Sequence, residues 1–196
     1  MPWKILSLFG SPHREGTSSR LHNVFLESFE GKADILRVHA YDKNINPCTA
    51  CGYCRDRLDC IFRDDMNLLY EEFLSADFIT ISSPLYFSSL TGPLKILIDR
   101  CQALWEMSRR DKQPPGKRRA GLFIAVGGGN YHDMFRPAVT VIRHFFKSLG
   151  FEPCEEDYIL IPNLDYQTEG DVPEAFLQKA LETGRKYLQR LQGEDL

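Results

Sequence analysis

Short runs of consecutive apolar residues alternate along the chain with segments in which apolar residues recur every three or four positions. The first pattern is typical of buried strands and the second of amphipathic helices. It predicts five strands, at Trp3–Phe9, Ile35–Val38, Phe78–Ser82, Gly121–Val126 and Tyr158–Ile161. It predicts five helices, at Thr17–Phe29, about Asp65–Ser75, Thr91–Leu104, His132–Leu149 and Glu174–Leu191.

Strands that alternate with helices indicate a parallel sheet with helices on both faces, because a parallel connection must cross over the sheet. Five such units predict an α/β fold, a flavodoxin-like three-layer sandwich with a five-stranded parallel sheet of order 2-1-3-4-5. We find no internal repeat or linker and expect a single domain over residues 1–196. Ligands bind such sheets at the carboxyl edge, so candidate chemistry should follow Phe9, Ser82 and Val126.

The loop after the first strand, Gly10–Ser19, is rich in glycine and hydroxyl groups and opens a helix. Free backbone N–H groups and the positive end of the helix dipole favour a phosphate there. Side chains that could assist are Ser11, His13, Arg14, Thr17 and Ser18, around the turn at Gly16. The alternative is an ordinary strand-to-helix turn with capping hydroxyls. The loop lacks G-x-G-x-x-G and G-K-[ST], which disfavours a dinucleotide Rossmann site and a P-loop NTPase.

Two further loops should meet the first at the same edge. The loop after the third strand offers apolar and hydroxyl contacts for a flat heteroaromatic ring, through Pro84, Leu85, Tyr86, Phe87 and Ser88. Its aromatic residues could instead belong to the core or to an interface. The loop after the fourth strand contains Gly127, Gly128 and Gly129, which allow a ligand to approach the backbone closely. Together the three loops predict a mononucleotide site, such as one for FMN.

Composition narrows the possible partners. The 196 residues contain 24 Lys and Arg against 27 Asp and Glu, a formal net charge of −3. This balance argues against a nucleic-acid or membrane-surface binder. The chain has no apolar run near the roughly 20 residues of a membrane span, and we expect no export signal from its first residues. We therefore expect a cytoplasmic protein without a nucleic-acid or membrane partner.

Six cysteines suggest a second kind of chemistry. Four of them have the spacing C-x₂-C-x₂-C-x₅-C in a cysteine-rich loop of about residues 44–63, namely Cys48, Cys51, Cys54 and Cys60. Four thiolates can hold a [4Fe–4S] cluster or Zn²⁺, and the compact spacing favours the cluster. The alternative is a set of reduced thiols that shapes the ligand pocket. Cys101 and Cys154 are expected to be small buried apolar residues.

Several motifs resemble those of the NADPH-dependent FMN reductase family over about residues 4–160. They are Gly10–Pro12 with Gly16–Ser18, the stretch from Asp64–Met66 through Ala76–Asp77 to Ser83–Tyr86, and Leu94–Lys95 with Ile98–Arg100. His13 stands where the family often has arginine, with Arg14 as a substitute. The cysteine spacing resembles that of the iron–sulfur flavoprotein subgroup.

The resemblance implies an FMN-dependent oxidoreductase that takes electrons from NAD(P)H or from a reduced carrier protein. It implies a homodimer or tetramer, and we nominate no catalytic acid or base because the flavin supplies the chemistry. One alternative is an electron-transfer protein that uses FMN and a [4Fe–4S] cluster without NADPH activity. Another is a domain of this fold that has lost its cofactor and acts as a binding protein.

Overall fold

The fold is described from a computed structural model, which covers residues 2–57, 59–111, 119–164 and 172–193. The strands are β1 (Trp3–Phe9), β2 (Ala33–His39), β3 (Phe78–Pro84), β4 (Ala120–Val126), β5 (Glu152–Pro153) and β6 (Ile159–Ile161). The helices are α1 (Thr17–Glu27), α2 (Tyr53–Asp56), α3 (Met66–Ser75), α4 (Gly92–Arg100), α5 (Gln102–Asp111), α6 (Arg136–Ser148) and α7 (Glu174–Gln192). Leu58, within the predicted cysteine-rich loop, lies outside the described residues.

All strands pair in parallel, in the order β2-β1-β3-β4-β5, which confirms the predicted α/β fold and strand order. The fifth position of the sheet is split, because β5 pairs with the start of β4 and β6 with its end. A short 3₁₀ turn over Glu155–Asp157 separates the two pieces. The sequence predicted the second piece but missed the first, which is only two residues long and contains a proline.

Two of the predicted helices, Thr91–Leu104 and His132–Leu149, differ from the structure by more than two residues, and the first of them extends to Asp111. The predicted helix Thr91–Leu104 is divided at Cys101, whose N–H bonds the Ile98 carbonyl at 3.0 Å instead of the carbonyl four residues back. The Arg100 carbonyl accepts a hydrogen bond from the Tyr70 hydroxyl at 3.3 Å. The predicted helix from His132 begins only at Arg136, because Asp133 has a left-handed φ of 61°.

The sheet is buried on both faces. Consecutive side chains of a strand point to opposite faces of the sheet. Both faces of β1 are buried, since four of its side chains are each at most 2% exposed, namely Ile5, Leu6, Leu8 and Phe9. Gly184 of α7 lies so close to α1 that an added Cβ would be 2.4 Å from the Phe25 carbonyl.

Among the described residues, no helix combines the length and apolar character that crossing a membrane requires.

A buried polar network links α1 to the sheet beneath its carboxyl edge. The His22 ring is fully buried, with Nδ1 at 2.9 Å from Ser82 Oγ and Nε2 at 2.6 Å from Thr80 Oγ1. Because the Thr80 hydroxyl donates to Ser7 Oγ at 2.9 Å, it accepts from His22 Nε2–H. Nδ1 therefore accepts from Ser82, and the imidazole is neutral. Burial, with a smaller contribution from the positive Arg37, lowers the pKa of His22 to about 3.

We expect this histidine to make the protein less stable in mild acid. The unfolded state takes up a proton near the ordinary pKa of 6.5, whereas the folded state does not until about pH 3. The free energy of unfolding should therefore fall as the pH falls from 7, by about 2 kcal/mol at pH 5. Urea unfolding of the wild type and of His22→Gln at both pH values measures the difference. An equal loss of stability in both proteins would contradict the prediction.

Candidate functional site

The carboxyl ends of β1, β3 and β4 surround a cavity of about 330 Å³, here called the edge cavity. Its volume is within the usual range for small-molecule sites. It is lined by Ser11, His13, Gly16, Thr17, Ser18, Pro84, Leu85, Tyr86, Val126, Gly128 and Leu164. Residues from all three predicted loops therefore meet at one place.

The first loop presents the start of α1 to the edge cavity. The helix begins at Thr17, and no side chain in the described part of the chain caps it. The backbone N–H groups of a first helical turn have no partner within the helix, so they remain available to an anion. The loop is held in place by Ser11 Oγ, which accepts from His13 N–H at 3.1 Å, and by Ser19 Oγ, which donates to the His13 carbonyl at 3.0 Å.

The two predicted basic residues of this loop differ in position. His13 is exposed and lines the edge cavity. Arg14 is not among the lining residues, because its guanidinium pairs with the Asp42 carboxylate and its side chain is 61% exposed. The backbone of α1 therefore provides a more direct anion site than the side chain of Arg14.

The second loop makes a tight turn at the rim of the edge cavity. Tyr86 and Ser89 exchange both backbone hydrogen bonds, at 3.0 and 3.1 Å. Phe87 and Ser88 between them have left-handed φ angles of 51° and 62°, an arrangement that costs side-chain-bearing residues free energy. Phe87 is fully exposed at the tip of the turn, and the Ser88 hydroxyl bonds to that of Tyr131 in the third loop. Pro84, Leu85 and Tyr86 thus line the cavity, whereas Phe87 and Ser88 lie at its rim.

The third loop contributes through only one of its three glycines. Gly128 lines the edge cavity. Gly127 is buried, and an added Cβ would lie 2.4 Å from Met134 Cε. The Gly129 carbonyl accepts a hydrogen bond from Asn163 N–H at 3.0 Å.

Val126 and Leu164 line the edge cavity but were not among the predicted site residues. Val126 ends β4, and Leu164 follows β6, so both lie at the carboxyl edge. The rule that ligands bind at that edge could have found both from the sequence.

A second cavity, of about 270 Å³, lies against the α4–α5 junction, and all four clustered cysteines line it. We call it the cysteine cavity. Cys48 and Cys51 are exposed, whereas Cys54 and Cys60 are half-buried. Burial raises the pKa of Cys54, and the nearby Glu106 carboxylate adds to this effect. Burial at this position therefore favours the protonated thiol of Cys54.

The cysteine loop is closed at its base by long-range hydrogen bonds. The Asn44 N–H donates to Asp65 Oδ2 at 2.8 Å, and the Asn46 N–H donates to Asp64 Oδ2 at 2.9 Å. Arg100 Nη1 donates to the same Asp64 oxygen at 2.6 Å. Burial alone would raise the pKa of Asp64, but the hydrogen bonds from Arg100 and Asn46 outweigh it and lower the pKa to about 2. The carboxylate is therefore fixed in its charged form.

The cysteine cavity has the donor chemistry of an iron–sulfur site. Four thiols around one cavity match the Cys₄ ligand set of a [4Fe–4S] cluster. Within the described residues, no three Cys, His, Asp or Glu side chains are gathered closely enough to hold a metal ion. The cysteine cavity thus fits the cluster in the number and type of its donors, although these side chains are not gathered to ligand distance. Of the two cysteines outside the set, Cys101 is buried as predicted and Cys154 is half-buried.

Helix α4 connects the two cavities. At its start, the Thr91 hydroxyl donates to the Gly10 carbonyl at 2.6 Å, in the first loop of the edge cavity. At its end, Asp99 and Arg100 line the cysteine cavity. A nine-residue helix is roughly 13 Å long at 1.5 Å per residue. The two candidate sites thus lie about one short helix apart.

Comparison with known proteins agrees with this geometry. The sequence model of the NADPH-dependent FMN reductase family matches residues 3–163. An iron–sulfur flavoprotein of Methanocaldococcus jannaschii is 36% identical over 126 residues, which are 64% of this chain and 62% of that protein. The alignment therefore spans less than two thirds of that relative's length. An iron–sulfur flavoprotein of Methanosarcina thermophila is 28% identical over 170 residues, 80% of this chain and 86% of that protein.

Solved structures share the fold at low identity. The FMN-dependent NADH-azoreductase of Bacillus anthracis, solved in complex with FMN, superposes with a TM-score of 0.64 at 21% identity. The superposition covers 96% of this chain and 99% of that one.

Proposed function

Because the chain belongs to the NADPH-dependent FMN reductase family, we propose that it is an FMN-dependent oxidoreductase that passes electrons from NAD(P)H to a second acceptor. A reduced carrier protein is the alternative donor. The observation that carries the proposal is the edge cavity, where the uncapped start of α1 lies beside Leu85 and Tyr86.

The first loop would bind the FMN phosphate. The N–H groups of Thr17 and Ser18, which have no partner within the helix, would form an anion site together with the hydroxyls of Ser11, Thr17 and Ser18. Gly16 permits the turn into the helix, and His13 adds a donor at the cavity wall. Arg14 would contribute by fixing the loop through Asp42.

The second and third loops would bind the isoalloxazine ring. Pro84, Leu85 and Tyr86 supply apolar surface on one side, and Gly128 allows the backbone to approach on the other. Phe87 and Ser88 would cover the rim, while Gly127 and Gly129 hold the third loop in place. When bound, FMN supplies the electron transfer, and these residues bind it, orient it and exclude water.

The cysteine cavity favours a second candidate function, electron transfer between proteins by an iron–sulfur flavoprotein without NADPH activity. Cys48, Cys51, Cys54 and Cys60 would hold a [4Fe–4S] cluster there. The cluster would supply one-electron chemistry beside the two-electron chemistry of the flavin.

A homodimer or tetramer in the cytoplasm completes the proposal. Exposed aromatic side chains at the cavity rim, including the fully exposed Phe87 and the 56% exposed Tyr131, support coverage by a second copy. The described structure has six free cysteines, which supports a reducing compartment.

Protein purified without oxygen tests the proposal. We expect a flavin absorption spectrum, FMN released on acid treatment, and brisk NADPH oxidation when a quinone or ferricyanide is added. Flavin together with iron and sulfide, but without nicotinamide turnover, would favour the electron-transfer candidate instead. Absence of any FMN affinity in titration would contradict both and leave the cofactor-free binding domain.

A further inference from the structure

Arg100 is a buried cation with unused hydrogen-bond donors. The residue is only 2% exposed. Its Nη1 donates to Asp64 Oδ2 at 2.6 Å and to the Asn46 carbonyl at 2.8 Å. Its Nε and Nη2 are buried and have no hydrogen-bond partner anywhere in the described structure. A buried donor without a partner destabilises the folded protein, so a role for these two groups is expected.

The surroundings of Arg100 indicate what the free donors would bind. The residue lines the cysteine cavity together with all four clustered cysteines. The Phe62 ring centre lies 5.1 Å from the guanidinium carbon. Two acidic residues also line the cavity, but each already has a cationic partner, since Asp99 pairs with Lys95 and Glu106 with Arg109. Apart from the neutral side chains of Thr49, Tyr53 and Gln102, the remaining side-chain acceptors of the lining are the four cysteine sulfurs, which are anionic when they bind a metal.

We propose that Arg100 is a positioning residue for the iron–sulfur cluster, donating through Nε–H and Nη2–H to its sulfur atoms. The inference rests on the proposed cluster at the cysteine cavity. With four thiolates, the oxidised cluster carries a net charge of −2 and becomes −3 when it accepts one electron. A buried positive charge and hydrogen bonds to sulfur both stabilise the more negative form, so they raise the reduction potential.

A purely structural role for Arg100 makes a different prediction. In that case its only task is to hold Asp64 and Asn46 at the base of the loop, and a lysine that keeps the charge would suffice. A lysine lacks the planar fork of the guanidinium, so Arg100→Lys removes the two free donors specifically. The reduction potential, unlike loading or activity, separates the two roles.

The test uses the full chain reconstituted without oxygen with iron and sulfide and titrated with dithionite, which supplies the electron. We expect Arg100→Lys to fold, and reduction of its cluster to be about tenfold less favourable, a midpoint potential about 59 mV lower for one electron. Arg37→Met, which removes a surface cation whose partner Glu30 also lies outside the cysteine cavity, is the matched control and should keep the wild-type potential.

Each outcome has a clear meaning. A fully loaded Arg100→Lys protein with the wild-type potential would overturn the inference. If Arg100→Lys does not fold, or folds but does not retain iron, the neutral pair Arg100→Gln with Asp64→Asn takes its place, with the same lower potential expected. A wild type that binds no iron and sulfide would refute the proposed cluster itself, before Arg100 is tested.

Discussion

Replacing Asp64 with alanine is expected to lower the free energy of unfolding by about 3–5 kcal/mol, because it leaves a buried guanidinium without its counter-charge. The side chains of Arg100 and Asp64 are only 1% and 2% exposed. The Asn46 N–H groups would lose their acceptor as well. Urea unfolding followed by circular dichroism measures the loss. Because the base of the cysteine loop opens, its thiols should also react faster with a thiol reagent.

Two further variants show whether burial is the cause. Glu30→Ala removes the partner of Arg37 at the surface, where the side chains are 65% and 38% exposed, and should cost at most about 1 kcal/mol. Asp64→Ala combined with Arg100→Met removes both charges and should recover much of the lost stability. If the free energy of unfolding of Asp64→Ala lies within about 1 kcal/mol of the wild-type value, the ion pair of Asp64 and Arg100 does not stabilise the loop.

The strand order and the place of the edge cavity could be predicted because they depend on local patterns. Continuous apolar strands such as Trp3–Phe9, alternating with helical periodicity, specify a parallel sheet, and a parallel sheet specifies a ligand edge. The candidate phosphate site at the start of α1 could be recognised for the same reason. Its glycine- and hydroxyl-rich loop is a local sequence pattern that indicates a helix start with available backbone N–H groups.

The unpredicted parts depend on contacts between distant residues. Asp64 directly precedes the helix predicted from about Asp65, a position where a carboxylate commonly stabilises the helix start. The structure uses Asp64 mainly for Arg100, 36 positions away, although its Oδ1 also accepts from the Met66 N–H at 3.1 Å. Arg14 was predicted to reach a phosphate, but Asp42, 28 positions on, pairs with it. The spacing of apolar residues in the sequence does not predict such ion pairs, because each charged residue on its own resembles a solvated surface residue.

The remaining large effect concerns the phosphate. Thr17→Glu is expected to weaken FMN binding roughly a hundredfold, about 3 kcal/mol, because the new carboxylate occupies the N–H groups of α1 and repels the phosphate dianion. An acidic residue at a helix start stabilises the helix, so the variant should fold. Fluorescence titration of the apoprotein should show a much smaller loss for riboflavin, which lacks the phosphate. Thr183→Glu on α7 is the matched control, since it adds the same charge outside the edge cavity. Equal losses for FMN and riboflavin would mean that the phosphate binds elsewhere.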